Sequence, residues 1–356
     1  MYRFLLVLVL LVLGMGTYYY FYFRRMAAFW KLPLDKRAVK IGLLAATLLI
    51  LLPLLSFSGL LALAVLHMFF FGLALLLLHP LLRRFSVWRT VFQSGLLPIL
   101  ITAALLTYGW FNMQTMHATH YTVESDKLTA PVRVVFLSDL HYPNSMDAER
   151  LSGYCDEISA LEPDIVLLGG DLFDESTEKS ELQEALSLLG GIDTTHGIYA
   201  VYGNHDRSFY SASPNYTPQE LADAMTRNHI QLLQDAAVTI GEVTVIGRED
   251  HSQKRASMPD LLTGISPGQF LLVLDHQPTG SEENVALGCD LMLSGHTHNG
   301  QIWPIGYINA LIGPSYGEYT FGNMKTIVSS GMVGWAYPVR TQGVCEYVVV
   351  ELVPGT

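Results

Sequence analysis

Four long apolar runs in the first third of the chain constrain its fold more than any other feature. Residues 4–23, 41–57, 60–78 and 91–111 contain no Asp, Glu, Lys or Arg. A bilayer-spanning helix needs roughly 20 such residues at 1.5 Å rise each. Helices that are apolar on every side have little place in a water-soluble protein of this size. The second run is short. Pro53 lies within it and Ser56-Phe57-Ser58-Gly59 separates it from the third, so a kinked or re-entrant second segment also fits. The first run ends in Tyr18, Tyr19, Tyr20 and Tyr22, a composition suited to an interfacial aromatic belt. A cleaved leader is disfavoured, because only Arg3 precedes the run, no small-x-small site follows, and Arg24-Arg25 come directly after.

Charge divides the 356 residues at the same place. Residues 1–116 hold ten Lys and Arg against one acid, Asp35, a net +9; residues 117–356 hold eleven against 31, a net −20. All the basic residues of the first part but Arg3 fall in two loops. Arg24, Arg25, Lys31, Lys36, Arg37 and Lys40 lie after the first run, and Arg83, Arg84 and Arg89 lie before the fourth. Lys and Arg mark cytoplasmic loops. With four spans, the N-terminus and the large C-terminal part are therefore expected outside the cytoplasm of a multi-pass membrane protein. Apart from His67, and His79 directly after the third run, these segments carry no ionisable group away from their ends. That favours an anchor in the lipid bilayer over a transporter, whose path normally needs buried charge. A net −20 on the second part argues against nucleic acid as a partner. Cys155, Cys289 and Cys345 form no CxxC and allow at most one disulfide; the apolar runs around Cys289 and Cys345 predict buried thiols.

These features predict an anchor region over 1–116, a linker over 117–131 and one large domain over 132–356. In that domain Val-, Ile- and Leu-rich runs at 132–137, 165–168, 197–201, 243–246, 270–274, 291–293, 326–328 and 347–352 read as strands. An amphipathic stretch at 148–161 separates the first two, an α/β pattern. Residues 208–218 and 302–321 read as loops that shape substrate choice.

Polar residues gather just after the strands. They are Ser138-Asp139-Leu140-His141, Gly169-Gly170-Asp171, Gly203-Asn204-His205-Asp206, Asp275-His276-Gln277-Pro278 and Gly295-His296-Thr297-His298. Ligands of open α/β sheets sit at strand C-termini. In Asp139-x-His141 and His296-x-His298, an extended backbone would point both side chains of each pair the same way. The glycines before Asp171 would let backbone and metal come close. Asp139, His141, Asp171, Asn204, His276, His296 and His298 make seven ligands, more than one tetrahedral zinc takes. Two divalent ions sharing a carboxylate would use them all. The lack of Cys points to Mn²⁺, Fe or Zn²⁺.

In this order the motifs D-x-H, G-D, G-N-H-D, H-x-P and G-H-T-H resemble the calcineurin-like metallophosphoesterases, in particular their membrane-anchored branch. The resemblance covers about residues 132–352. It implies a four-layer α/β β-sandwich flanked by helices, preceded here by about four transmembrane helices. It also implies that Asp139, His141, Asp171 and His298 hold one ion and that Asp171, Asn204, His276 and His296 hold the other. His205 would contact the phosphate and protonate the leaving group, with Asp206 orienting its imidazole. Asn299 and Asp275 depart from the family pattern and would alter the substrate rim.

The activity implied is hydrolysis of a phosphodiester or pyrophosphate bond by a hydroxide bridging the two metals, acting in line on phosphorus without a phosphoenzyme. A membrane tether suggests an amphiphilic, lipid-linked or cell-envelope substrate. A hydrolase of the UDP-2,3-diacylglucosamine pyrophosphate bond is the alternative within the enzyme class, although it conflicts with an extracytoplasmic domain. A non-catalytic membrane sensor of metal or phosphate is the alternative class, disfavoured because no ligand is missing. His196, His229 and His251 have no companion ligands and read as surface or structural, with His251 the one that could border substrate. His117 and His120 would mark the membrane interface. Arg207 and Arg340 are candidate phosphate or headgroup contacts, and Asp174 is a candidate partner for a ligand.

Overall fold

The computed structural model describes residues 2–55, 59–207 and 209–355, with the side chains of residues 2–8 outside that description. The chain forms two compact units, Met1–Gly109 and Trp110–Thr356.

The first unit is helical: α1 (Tyr2–Phe29), α2 (Arg37–Leu51), α3 (Leu60–Leu82), α4 (Ser86–Ser94) and the start of α5 (Leu96–Met113). Among the described residues, Arg37–Leu55, Leu60–Leu82 and Leu96–Met113 are long and apolar enough to cross a membrane. The expected run 4–23 falls in α1, which continues through Arg24-Arg25. Around Pro53 the second run tightens into a 3₁₀ turn, Leu52–Leu55. The Ser56-Phe57-Ser58 part of the expected break lies outside the described residues. The fourth run differs from expectation. Gly95 adopts φ 71, ends α4, and makes α5 begin at Leu96 rather than 91, because a left-handed residue terminates helical hydrogen bonding. The tyrosines also differ. Tyr19 and Tyr22 are buried rather than set in an exposed belt, and the Tyr19 hydroxyl donates to the Val65 carbonyl at 2.5 Å.

Among the described residues the second unit holds twelve strands in two sheets. In chain order they are β1 (Met116–Ser125), β2 (Val132–Leu137), β3 (Ile165–Leu168), β4 (Ile198–Ala200), β5 (Ile230–Leu232), β6 (Ala236–Ile240), β7 (Val243–Gly247), β8 (Phe270–Leu274), β9 (Leu291–Ser294), β10 (Gly317–Phe321), β11 (Met324–Val328) and β12 (Cys345–Pro354). One sheet runs β1-β12-β2-β3-β4-β5 and the other β10-β11-β9-β8-β7-β6. The stretch read as a linker carries β1, which pairs along its whole length with β12 and places His117 and His120 in a strand.

Strand alternation builds the layers. Val134 and Phe136 face inward to meet Val245, Leu272 and Leu293 of the other sheet. Val135 and Leu137 face outward, against Leu151 and Ile158 of α6 (Ala148–Ser159), Leu186 of α7 (Lys179–Leu189) and Leu221 of α8 (Pro218–Arg227). On the far side, Val273 and Met292 meet Met258 of α9 (Met258–Leu261), with Val285 of α10 (Ser281–Ala286) packed beside them. The result is the expected four-layer α/β sandwich. Each large aliphatic side chain so buried contributes about 1.5–3 kcal/mol. Asp147 caps α6 by accepting from the Arg150 amide at 2.9 Å. All three cysteines are free and buried.

β2, β3 and β4 are mutually parallel, as are β7, β8 and β9. The segments after their C-terminal ends carry the five polar motifs.

Candidate metal centre

The chain leaves these strands through left-handed backbone. Asp139 has φ 53, His141 φ 40, Asp171 φ 51, His296 φ 70 and His298 φ 49. Strand alternation therefore does not aim the D-x-H and H-x-H pairs. Each L-residue in this region costs roughly 1–2 kcal/mol, a strain that the surroundings must over-determine. Here the segments hold one another by backbone hydrogen bonds. Asp139 donates to Gly170 O and His141 to Asp171 O, both at 3.0 Å, and Gly295 donates to His276 O at 2.9 Å.

The glycines serve the same close approach rather than room for a metal. Gly170 has φ 87, and a Cβ there would collide with the backbone of Gly203; a Cβ on Gly203 would strike the Asp171 amide and carboxylate.

Six of the seven expected ligands converge as two groups, each with ligand atoms within 4.8 Å of one another. They are Asp139, His141 and His298, and Asp171, His276 and His296. Asp171 Oδ2 lies 3.1 Å from His276 Nε2 and 3.9 Å from His141 Nε2, so this carboxylate stands between the groups. His276 Nδ1 donates to Gly169 O at 2.8 Å and His298 Nδ1 to Val333 O at 3.1 Å. These bonds commit both Nδ1 atoms and turn each Nε2 to the centre, as a bare lone pair on His298 and, until a cation displaces the proton, bonded to Asp171 on His276. His141 Nε2 faces His298 Nε2 at 3.3 Å, and His296 Nδ1 faces His276 Nε2 at 3.3 Å. Facing imidazole nitrogens, carboxylates alongside, and an Asn204 Oδ1 buried without a hydrogen-bond partner make a donor set that fits divalent cations.

The electrostatics agree. Burial, reinforced by the Arg340 guanidinium, pushes His298 down to about 3, and burial lowers His141 to about 4. Both are neutral ligands at neutral pH. Burial disfavours charge on Asp171 and His276 too. Their mutual attraction outweighs it, drawing the carboxyl down and the imidazole up. Such a pair binds positive charge tightly, whether proton or metal.

His205 lies beside this centre, its ring centroid 5.5 Å from that of His141. Its imidazole is not oriented by Asp206, contrary to expectation. Asp206 is buried and accepts from the amides of Gly203, Asp171, Leu172 and Phe173 at 2.6–3.1 Å. It braces the loop under Asp171. Glu175 takes the expected role, both carboxylate oxygens lying 3.0 Å from His205 Nδ1. Burial lowers the His205 pKa, but the Glu175 hydrogen bond and the Asp171 charge outweigh it, and the net shift is upward. Only its place four residues after Asp171 could have pointed to Glu175 in the sequence. Tyr210 and Trp335 flank the His205 ring at 5.2 and 5.1 Å.

Other expectations change. Asp174 does approach a ligand, with Oδ2 3.8 Å from His141 Nδ1. Arg340 is wholly buried and meets three backbone carbonyls rather than a phosphate. Arg207 pairs with Glu249 and stacks over Tyr202 at 4.3 Å. Asp275 is buried against Arg255 instead of forming part of a rim. His196, His229 and His251 are exposed and join neither group. Residue 208 of the 208–218 loop lies outside the described residues, while 302–321 contains a short helix, α11 (Ile305–Asn309), and β10.

Residues 132–300 match the family described as calcineurin-like phosphoesterase. The chain is 29% identical over 263 residues to an uncharacterized metallophosphoesterase of Helicobacter pylori, covering 70% of this chain and 69% of that protein. It is 28% identical over 314 residues to the transmembrane protein with metallophosphoesterase domain of Danio rerio, covering 81% and 71%. It is 30% identical over 207 residues to a phosphodiesterase of Escherichia coli, covering 54% and 69%.

Proposed function

The chain belongs to the calcineurin-like phosphoesterase family of metal-dependent hydrolases, and on that premise we propose a membrane-anchored phosphodiesterase with a dinuclear metal centre. The observation that carries the proposal is the pair of carboxylate–histidine groups with Asp171 between them. Asp139, His141, Asp171 and His298 would hold one ion, and Asp171, Asn204, His276 and His296 the other. Two divalent ions supply Lewis acidity toward the phosphoryl oxygens and an activated water for in-line displacement.

The chain's own groups do the rest. Asp139 accepts from the His296 amide at 3.0 Å and Asp171 Oδ1 from the His205 amide at 2.8 Å, which ties the ligands of both groups into one frame. Glu175 engages His205 Nδ1 and stabilises the imidazolium, leaving Nε2 to give a proton to the leaving oxygen. A general acid so placed contributes about 10²–10⁴-fold.

Two openings favour a diester or pyrophosphate over a small monoester. One cavity of about 460 Å³ is lined by Asn144, Asp174, Glu175, Ser176 and Trp335. A second, of about 410 Å³, is lined by Gln277, His296, Thr297 and Ile312. A phosphorus held at the centre would thus have room for a substituent on either side. The similarity to a phosphodiesterase of Escherichia coli supports the same reading. The apolar helices and the transmembrane name of the Danio rerio relative support a membrane location, hence an amphiphilic, lipid-linked or cell-envelope substrate. The basic loops favour a domain outside the cytoplasm, which a reporter fused at the C-terminus would test; a cytoplasmic signal would overturn that orientation.

The deciding experiment is Mn²⁺-dependent hydrolysis by the full chain of a chromogenic monoester and diester, a phospholipid and UDP-diacylglucosamine, with Asp171→Ala as the blank. Turnover of a diester or pyrophosphate, lost in the variant, is expected. Turnover of the monoester alone would refute the diester reading, and none with metal bound would refute the enzyme acting on these classes.

A further inference from the structure

The second cavity runs beside an unusual surface. Residues 299–317 contain no Asp, Glu, Lys or Arg in a unit that is otherwise strongly acidic. Within this segment Ile305, Tyr307, Ile308, Leu311 and Ile312 are all exposed, Leu311 at 87% and Ile312 at 84%. Five large, exposed apolar side chains within eight residues are a concentration of the kind that marks an interaction site. The segment is held in place at several points. The Trp303 amide donates to Thr341 Oγ1 at 2.9 Å, the Gly306 amide to Gln342 Oε1 at 3.0 Å, and Thr297 Oγ1 to Ser315 O at 2.5 Å. The exposure therefore belongs to an anchored element.

We propose that the Ile305–Ile312 patch, with the cavity between it and His296, is a subsite for the alkyl chain of an amphiphilic phosphate ester; this inference rests on the phosphoesterase reading above. His296 belongs to one metal group and also lines the cavity, as do Ile312 and Asn309, so the cavity links the centre to the patch. Its lining has polar groups (His296, Thr297, Gln277) to meet the phosphate region and apolar ones (Pro278, Ile312) toward the patch. The other cavity is the more polar of the two, with the carboxylates of Asp174 and Glu175 set among Trp335, Ala336, Tyr337 and Pro338, so the cavity beside His296 suits a hydrocarbon better. That division gives each arm of a diester its place. The leaving group lies on the Glu175–His205 side, and the alkyl arm lies on the His296 side.

The test uses the full chain in lipid nanodiscs with Mn²⁺, comparing p-nitrophenyl octyl phosphate with p-nitrophenyl methyl phosphate. The wild-type kcat/KM is expected to favour the octyl ester at least tenfold, and Ile308→Asn/Leu311→Asn/Ile312→Asn should cut that ratio to below about threefold. No preference in the wild type, or an undiminished one in the variant, would overturn the subsite. If neither ester is turned over, the parent reading is in question, and a binding measurement decides the subsite separately. The native cysteines are buried, so Ile312→Cys can carry an environment-sensitive fluorophore, with exposed Thr195→Cys as control. Octyl phosphate should blue-shift the first probe and not the second, and methyl phosphate should shift neither. An Ile312 probe unmoved by octyl phosphate would overturn the subsite, and one already blue-shifted in nanodiscs would assign the patch to the bilayer instead.

Discussion

Removing the Arg340 guanidinium should destabilise the domain by about 3–5 kcal/mol and weaken metal binding at His298. Arg340 Nη1 donates to His298 O at 3.0 Å, and Nη2 donates to Ser330 O at 2.8 Å and Val333 O at 2.7 Å. Hydrogen bonds from a charged donor contribute about 1.5–3 kcal/mol each. Their simple sum overstates the loss, since Arg340→Met returns part of it through burial of an apolar side chain, about 1.5–3 kcal/mol. The variant also no longer has to desolvate a buried charge, which brings the net loss to about 3–5 kcal/mol. Val333 O also accepts from His298 Nδ1 at 3.1 Å, so the guanidinium positions the carbonyl that positions a ligand. Loss of such a support commonly lowers metal affinity about 10–100-fold. Urea unfolding of the chelator-treated full chain, followed by tryptophan fluorescence, measures the first effect, and Mn²⁺ titration measures the second. Arg340→Lys should fall between, because one ammonium cannot span three carbonyls. A Met variant within about 1 kcal/mol of wild type, with unchanged Mn²⁺ affinity, would refute this account.

Glu175→Gln should reduce kcat about tenfold for a diester with an alkoxide leaving group and much less for p-nitrophenolate, which needs little protonation; equal losses with both would show that Glu175 acts otherwise than through His205. Gly203→Ala should cost about 1–3 kcal/mol through overpacking and impair metal binding, because its Cβ meets the Asp171 carboxylate; calorimetry and Mn²⁺ titration read both. Chelator-treated protein should lose stability as pH falls from about 6.5 toward 4. The depressed pKa values of His141, about 4, and His298, about 3, mean that the unfolded chain takes up protons first in that window. His276 is shifted upward, so its contribution is fully present below pH 6.5, and the Asp206 carboxyl, raised to about 7 by burial, returns only part of what the two histidines lose. Denaturant midpoints across pH 4–7 test this, and His141→Gln/His298→Gln should flatten the slope.

Much of the architecture was legible because its signals are local. All eight apolar runs read as strands coincide with strands, since residues in the middle of a sheet are covered on both faces and must be continuously apolar. The four strands not anticipated are β1, β5, β6 and β10, which are the four sheet edges. With one side open, sequences such as Met-His-Ala-Thr-His-Tyr-Thr-Val-Glu-Ser in β1 alternate burial and carry polar residues that read as a linker. The chemistry of the centre was likewise written in the chain, because the ligand types and their places after strands need no tertiary knowledge. Tertiary structure alone decided how those ligands converge. The left-handed turns at Asp139, His141, Asp171, His296 and His298 are imposed by hydrogen bonds between segments distant in sequence. It also decided which partner each charge finds. Asp206 turns to four amides and leaves His205 to Glu175, while Arg340 is drawn inside to three carbonyls. A side chain's type fixes what it can bind; only the packed chain determines which group comes within 3 Å of it.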